Sequence, residues 1–115
     1  MRNDKGNIIV DKTFRFALSI IEYCELLEEE KKFVIARQLL RSGTSIGANV
    51  REAQNAESKA DFVHKIKIAA KEADETEYWL LLCKESRSYP DSDQLLNNLS
   101  ELIKILSKII SSSKN

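Results

Sequence analysis

The sequence predicts an all-α fold, an up-down-up-down antiparallel four-helix bundle. With one proline and three glycines in 115 residues, the chain has too few turn residues for an all-β fold. Four segments carry apolar residues at the 3–4 spacing of an amphipathic helix, and short connections join them. A chain of this length corresponds to one domain, residues 1–115. Helices are expected at about 11–29, 31–56, 58–87 and 93–111, followed by a polar tail at 112–115.

The first helix is expected to run from about Asp11 to Glu29, with Asp11 or Thr13 as its N-cap. Its apolar stripe at 3–4 spacing predicts a core face. That face comprises Phe14, Ala17, Leu18, Ile21, Cys24 and either Leu27 or Glu28. Three further large residues, Phe16, Ile20 and Tyr23, lie off this stripe.

The second helix contains the stretch RSGTSIGANVREA, Arg41 to Ala53, which invites comparison with a phosphate-binding loop. A GxxxxGK[ST] loop follows a strand and carries a lysine directly after its last glycine. Here two glycines stand four residues apart, no lysine follows, and the helix-like KKFVIARQLL precedes them. A continuous helix is therefore favoured, and a break or 3₁₀ turn near Ser42 is the alternative.

If the helix continues, its core face is Ala36, Leu40, Gly43, Gly47, Val50 and Gln54, flanked by Leu39, Ile46 and Ala53. A glycine in a helix interior costs up to about 1 kcal/mol against alanine, so two on one face suggest a close helix crossing. A neighbouring stripe of mostly small polar residues comprises Gln38, Ser42, Ser45, Asn49 and Glu52. We expect this stripe to be half-buried and hydrogen-bonded to another helix or subunit; an ordinary solvated face is the alternative.

The third and fourth helices carry apolar residues at heptad-like spacing. Ser58 is the expected N-cap of the third helix, which ends before the turn sequence SYPDSD. Its heptad-like seam is Phe62, Ile66, Ala69, Ala73, Thr76, Leu80 and Cys83. The fourth helix begins after Asp91 or Asp93 with the seam Leu95, Leu99, Leu102, Leu106 and Ile109, widened by Leu96, Ile103 and Ile110.

The segments QLLRSGTSIGANVREA and SKADFVHKIKIAAKEADETEYWLLL resemble a family of small bacterial four-helix-bundle proteins. Its members are encoded within intervening sequences of large-subunit ribosomal RNA genes, and its relatives include accessory variability proteins of diversity-generating retroelements. The resemblance extends from about Phe14 to Leu106. It implies a ring-like homopentamer without catalytic activity. For the retroelement relatives it implies binding to a reverse transcriptase and to nucleic acid, through a basic ring that this neutral chain does not match.

Independently of the resemblance, the third helix predicts an oligomer. Tyr78, Trp79 and Leu82 point away from its seam and would form an exposed apolar patch in a monomer. Aromatic residues of this kind are common interface anchors. The alternative is a monomer in which the fourth helix and its loop cover Trp79.

The net charge is zero, which gives no general attraction to nucleic acid. Residues 31–71, however, hold nine basic and three acidic residues. The candidate contacts for RNA, DNA or a nucleic-acid-processing protein are Arg37, Arg41, Arg51, Lys65 and Lys67. Alternatively, the arginines pair with Glu22, Glu25 and Glu29 of the first helix.

No catalytic or metal-binding set is recognisable, and no cofactor is expected. The single histidine belongs to no Glu-x-x-His motif, and the two cysteines form no CxxC. No apolar run is long enough for a membrane span, and the N-terminus is too polar for a secretory signal, so a cytoplasmic location is expected. The sequence thus predicts a non-catalytic oligomeric scaffold that binds nucleic acid or a nucleic-acid-associated protein. A self-assembling adaptor that binds only protein is the alternative.

Overall fold

The computed structural model describes residues 7–113, and it is the four-helix bundle that the sequence predicts. The helices are α1 (Ile8–Glu29), α2 (Phe33–Ala53), α3 (Lys59–Glu85) and α4 (Asp93–Ser112), and residues 7–113 contain no strand. They form an elongated body of 46 × 24 × 22 Å. The polar N-terminal residues 1–6 and the last two residues of the predicted tail lie outside the described part.

The N-caps explain where two of the helices begin. Asn7 caps α1, because its side-chain oxygen accepts a hydrogen bond from the Val10 amide at 3.4 Å. The predicted caps Asp11 and Thr13 are wrong, since both lie inside the first turns of α1. The prediction for α3 is confirmed, because the Ser58 hydroxyl accepts a hydrogen bond from the Asp61 amide at 3.0 Å.

Each helix packs against its neighbour in sequence, and α1 also packs against α4. No Cα atom of α1 lies within 8 Å of one in α3, so these two helices are diagonal in the bundle. Bonds from Thr76 to Ser42 and from Lys65 to Glu52 fix the antiparallel register of α2 and α3. As a result, α2 has one side toward α1 and another toward α3.

The predicted core seams of α3 and α4 are confirmed. The buried residues of α3 are Ile66, Ala69, Ala73, Thr76, Leu80 and Cys83, and those of α4 are Leu95, Leu99, Leu102 and Leu106. The predicted seam residues Phe62 and Ile109 are only partly buried against the core, as are the widening residues Leu96, Ile103 and Ile110. In both helices the heptad spacing of the seam residues indicates the face that turns inward.

The predicted core face of α1 is wrong except at Cys24 and Leu27, which are buried. The buried residues are Ile9, Thr13, Phe16, Ile20, Tyr23, Cys24 and Leu27. The predicted Phe14, Leu18 and Ile21 are instead exposed. Large apolar residues occupy most of the circumference of α1, so its 3–4 spacing fits two registers, and packing against α2 selects the other one.

The core face of α2 is rotated slightly from the prediction. Leu40, expected inside, is exposed, whereas Ser42, expected to be half-buried, is completely buried. The helix is continuous from Phe33 to Ala53, so the alternative of a break near Ser42 is wrong. A buried serine is tolerated at this position because α3 supplies a hydrogen-bonding partner for it.

Candidate functional site

The outer surface between α1 and α2 forms an apolar groove with a volume of about 430 Å³. We call it the α1/α2 groove; it is lined by Val10, Asp11, Thr13, Phe14, Ala17, Thr44, Gly47, Ala48 and Arg51. Phe14 is 57% exposed, and Leu18, one turn further along α1, is 49% exposed. Ile21 and Leu40 continue the exposed apolar surface toward the other end of the bundle. Exposed apolar side chains in such a contiguous set are typical of an interaction surface.

Two glycines explain why the groove forms. A Cβ atom added at Gly43 would lie 2.9 Å from side-chain atoms of Ile20. A Cβ atom added at Gly47 would lie 3.2 Å from the carbonyl oxygen of Thr13. The two helix backbones therefore approach closely, as the predicted helix crossing requires. Because Ala17 and Ala48 are also small, the surface above the crossing is concave.

On its other side, α2 meets α3 through a polar contact in the core. The hydroxyl groups of Ser42 and Thr76 are hydrogen-bonded at 2.9 Å, and both residues are completely buried. The Thr76 hydroxyl is also 2.7 Å from the carbonyl oxygen of Glu72. The polar atoms at this contact therefore find their partners within the chain.

Arg41 adds an ion-pair cluster to the same α2/α3 contact. Its guanidinium lies 3.1 Å from a carboxylate oxygen of Glu72 and 2.6 Å from one of Glu75. Glu75 also accepts a hydrogen bond from the Trp79 indole at 3.0 Å. The hydrogen bond from Arg41, and to a lesser extent that from Trp79, lowers the pKa of the Glu75 carboxyl. The alternative that Arg41 pairs with the acidic residues of α1 is therefore wrong, because its partners lie in α3.

The other candidate nucleic-acid contacts do not form one cluster. Arg51 lies at the α1/α2 groove, and Lys65 pairs with Glu52 at 3.0 Å. Arg37 and Lys67 are exposed, and neither makes an ion pair within residues 7–113. Of the five candidates, these two thus have side chains available to an external anion.

The predicted polar stripe of α2 has mixed surroundings. The Ser45 hydroxyl and the Asn49 amide donate to carbonyl oxygens of their own helix, those of Arg41 and Ser45. Gln38 is exposed, and Glu52 is exposed with Lys65 as its partner. Within the described chain, only Ser42 and Glu52 of this stripe have side-chain bonds to another helix.

A second exposed apolar surface lies near the C-terminal end of α3. We call it the α3 aromatic surface; it comprises Tyr78, Trp79, Leu81 and Leu82. Tyr78 is 56% exposed, and its ring meets the half-buried Trp79 ring edge-on at a centroid distance of 5.3 Å. The sequence pattern identified three of these residues. It missed the exposed apolar residues of α1, although the excess of large side chains around that helix was a usable signal.

Charge is separated along the bundle. The half that contains the start of α1 and α3 (residues 8–18, 44–72 and 103–113) holds nine basic and five acidic residues, a net charge of +4. The rest of residues 7–113 holds six basic and twelve acidic residues, a net charge of −6. In the positive half, Lys67 and Lys71 lie on the exposed face of α3 and make no ion pair within residues 7–113. The neutral total therefore conceals a basic and an acidic end.

The described residues contain no group of histidine, cysteine, aspartate and glutamate side chains that could hold a metal ion. Cys24 and Cys83 are buried, and burial raises the pKa of the Cys24 thiol to about 12 and also that of Cys83. Because they belong to the diagonal helices α1 and α3, their Cα atoms are more than 8 Å apart, too far for a disulfide without backbone movement. Both cysteines thus behave as small, protonated core residues. None of the helices in residues 7–113 has the length and hydropathy needed to cross a membrane.

Comparison with known proteins relates the chain to a protein family and to a solved structure. A family model described as "23S rRNA-intervening sequence protein" matches residues 5–111. A crystal structure of a protein of unknown function from the S23 ribosomal protein family of Bacteroides thetaiotaomicron VPI-5482 has a TM-score of 0.84 and 46% sequence identity. That match covers 89% of this chain and 97% of the other. No curated protein matches the chain.

Proposed function

The chain belongs to the family of 23S rRNA-intervening sequence proteins, and on this premise we propose that it is a non-catalytic scaffold that assembles from several copies of itself. No catalytic role is indicated for the family match or for the similar crystal structure. The relation to retroelement accessory proteins and the pentameric ring remain predictions from the resemblance. What the geometry supports best is the self-assembly.

One observation carries this proposal: the α1/α2 groove and the apolar residues that continue it are exposed in the single chain. Four large side chains, Phe14, Leu18, Ile21 and Leu40, are between 39% and 57% exposed on this surface. Complete burial of such a side chain contributes roughly 1.5–3 kcal/mol, so covering the exposed parts of four yields several kcal/mol. A second copy that covers this surface removes it from water.

Sedimentation of the full-length protein at micromolar concentration tests the proposal, with a matched pair of variants. Leu18→Glu places a charge beside the groove, whereas Leu26→Glu makes the same change at an equally exposed position, 49% against 48%, elsewhere on α1. We expect the wild type and Leu26→Glu to sediment as oligomers and Leu18→Glu to sediment as a monomer. A monomeric wild type refutes self-assembly, and equal behaviour of the two variants refutes the role of the groove.

The charge separation along the bundle supports a second candidate function, binding of RNA by the assembly. Each copy contributes a basic half with a net charge of +4. In a symmetric assembly the electrostatic fields of these halves add. The family description names ribosomal RNA, which makes structured RNA the first ligand to test. Lys67 and Lys71 are the suitable phosphate contacts, because they are exposed and make no ion pair within residues 7–113.

Fluorescence anisotropy with a labelled structured RNA at low salt tests this second function. Lys67→Glu/Lys71→Glu should weaken binding and reduce the salt slope by about 2, one for each lost phosphate contact. Lys31→Glu/Arg87→Glu makes the same charge change in the acidic half and should leave binding unchanged. If the wild type binds no RNA at low salt, the alternative of an adaptor that binds only protein is favoured.

A further inference from the structure

A hollow with a volume of about 450 Å³ lies at the end of the bundle where α3 begins and α4 ends. We call it the α3/α4 end site; it is lined by Lys59, Ala60, Val63, His64, Lys67 and Ser113. We infer that this site binds a phosphate monoester, the group at a phosphorylated end of an RNA strand. An RNA end as the source of this group rests on the RNA binding proposed above, whereas the site itself does not.

The residues that line the α3/α4 end site favour an anion. The α1/α2 groove contains Asp11 as well as Arg51, so its lining carries both signs of charge. A smaller hollow between α1 and α4 likewise contains Glu101 together with Lys12 and Arg15. The end site has two lysines and a histidine in its lining and, among residues 7–113, no carboxylate. Its charge therefore attracts a negatively charged group without an opposing acidic residue in the wall.

Two acidic residues flank Lys59 in the sequence, but neither lines the site. The carboxylate of Asp61 accepts a hydrogen bond from the backbone amide of Glu57 at 3.2 Å, so it lies against the loop before α3. The side chains of His64 and Lys67 are exposed and make no hydrogen bond or ion pair within residues 7–113. Their N–H groups are therefore available to a ligand.

The basic residues lie on two adjoining stripes of α3. Lys59, Val63 and Lys67 follow one another at intervals of four residues, and His64 lies beside Val63. The two lysines are about 12 Å apart along the helix axis, and their flexible four-carbon stems allow both ammonium groups to converge over the imidazole between them. Ser113 bounds the other side of the hollow, with its hydroxyl donating to the Ile109 carbonyl oxygen at 2.8 Å.

The helix dipoles do not account for the positive charge of the site. Because α3 begins where α4 ends, the positive end of one dipole lies beside the negative end of the other. The attraction for an anion therefore comes from the side chains, and substitutions of these side chains should remove it.

A phosphate monoester suits these donors better than a phosphodiester within a strand. A monoester carries a charge of about −1.5 to −2 at neutral pH and three strong acceptor oxygens, whereas each internal phosphate carries a single charge. Two ammonium groups and an imidazole N–H provide a donor for each of the three oxygens, and hydrogen bonds of this charge-assisted kind are the strong ones. The apolar Ala60 and Val63 leave room for the attached sugar, in a hollow as large as common small-molecule sites.

The single histidine of the chain provides a direct probe of the site. Uridine 5′-monophosphate is added to the full-length protein in low salt at about pH 8, where its phosphate is a dianion. We expect a saturable shift of the His64 imidazole proton resonances, and no shift with uridine, which lacks only the phosphate. Absence of a shift with the monophosphate, or an equal shift with uridine, would overturn the site.

A matched pair of lysine variants shows whether the lining residues hold the phosphate. Lys67→Gln removes one charge-assisted donor and should weaken binding of uridine 5′-monophosphate about three- to tenfold. Lys65→Gln removes a lysine two residues away that pairs with Glu52 and does not line the site, and it should leave the affinity unchanged. Equal losses in the two variants would mean that general charge, and not the α3/α4 end site, attracts the nucleotide.

Two internally labelled RNAs of the same sequence, with phosphates or with hydroxyl groups at both ends, test the RNA end as the source. In fluorescence anisotropy at low salt, the full-length protein should bind the phosphorylated RNA about tenfold more tightly, the effect of one or two charge-assisted hydrogen bonds. His64→Gln/Lys67→Gln should lose this preference and keep the helical circular dichroism, because both residues are exposed. Lys65→Gln should retain the preference.

The outcomes separate the site from the proposed RNA function. Equal affinity for the two RNAs would show that an RNA end is not the ligand, while RNA binding through other residues stands. If neither RNA binds, the RNA function fails. A saturable response of His64 to uridine 5′-monophosphate would then support the site with a free nucleotide as its ligand.

Discussion

The two sides of α2 use their side chains in opposite ways. Toward α3, the buried hydroxyls of Ser42 and Thr76 bond to each other and the guanidinium of Arg41 pairs with two glutamates. Toward α1, two glycines bring the backbones together in the interior, and outside them an apolar groove faces solvent. The α2/α3 contact is completed within one chain, whereas the outer part of the α1/α2 contact has apolar surface available for another molecule.

This difference suggests how the RSGTSIGANVREA stretch combines folding and assembly. Its residues Ser42 and Gly43 are buried and hold α2 against both neighbours. The groove is lined by the neighbouring face of α2, which carries Thr44, Gly47 and Ala48. A substitution in this stretch should therefore affect either stability or assembly according to the side of α2 on which it lies.

The largest expected effect concerns the glycine crossing inside the α1/α2 contact. Ile20→Ala removes a completely buried side chain and should lower the free energy of unfolding by about 2–5 kcal/mol. Adding Gly43→Ala should recover part of this loss, because the new Cβ atom enters the space where Ile20 would otherwise lie 2.9 Å away. Urea unfolding of the two single variants and the double variant measures the coupling. Additive losses would mean that the close approach at Gly43 has no energetic role.

A smaller effect is expected at the polar contact between α2 and α3. Thr76→Val keeps the shape of the side chain but deprives the buried Ser42 hydroxyl of its partner, which should cost about 1–3 kcal/mol. Ser42→Ala/Thr76→Val should cost less than the sum of the single changes, because it leaves no unpaired hydroxyl. Thr44→Val is the matched control, since the Thr44 hydroxyl is half-exposed and donates only to carbonyl oxygens of its own helix. Equal losses for the two threonines would contradict the assigned role of the buried pair.

The smallest effect is expected at the Arg41 cluster. The side chains of Arg41 and Glu75 are 49% and 37% exposed, so Arg41→Gln should cost only about 0.2–1 kcal/mol, and less in high salt. Folding lowers the pKa of the Glu75 carboxyl. The ion pair of Arg41 and Glu75 therefore stabilises the folded protein at pH values above the ordinary carboxyl pKa of 4.5. This contribution disappears as the pH falls through the folded pKa. NMR titration should show the Glu75 pKa rising toward its ordinary value in Arg41→Gln; no change would exclude Arg41 as the main cause of the shift.

The sequence predicted the fold class and two of the four core faces correctly, and the reason lies in how apolar residues are distributed. In α3 and α4 the seam residues keep a heptad spacing along the helix, and that spacing identifies the inward face. In α1 the stripes of Phe14 and Phe16 are both apolar, and only packing against Gly43 of α2 selects the second. That information is divided between two helices, so neither helix pattern reveals it alone.

The candidate site was predicted less completely for the same reason. The exposed Tyr78 and Leu82 could be recognised because they depart from a clear seam. The groove could not, because its α1 residues were assigned to the core. The partners of Arg41 also depended on the register between α2 and α3, which the sequence pattern of each helix does not specify.

The most direct test of the central claim is the sedimentation-equilibrium mass of the wild-type protein from low to high micromolar concentration. The protomer has a mass of 13.1 kDa. If the α1/α2 groove is an assembly surface, the measured mass will be a multiple of this value and will fall to one protomer mass in Phe14→Glu/Leu18→Glu. A wild-type mass of one protomer across the whole range would contradict the account.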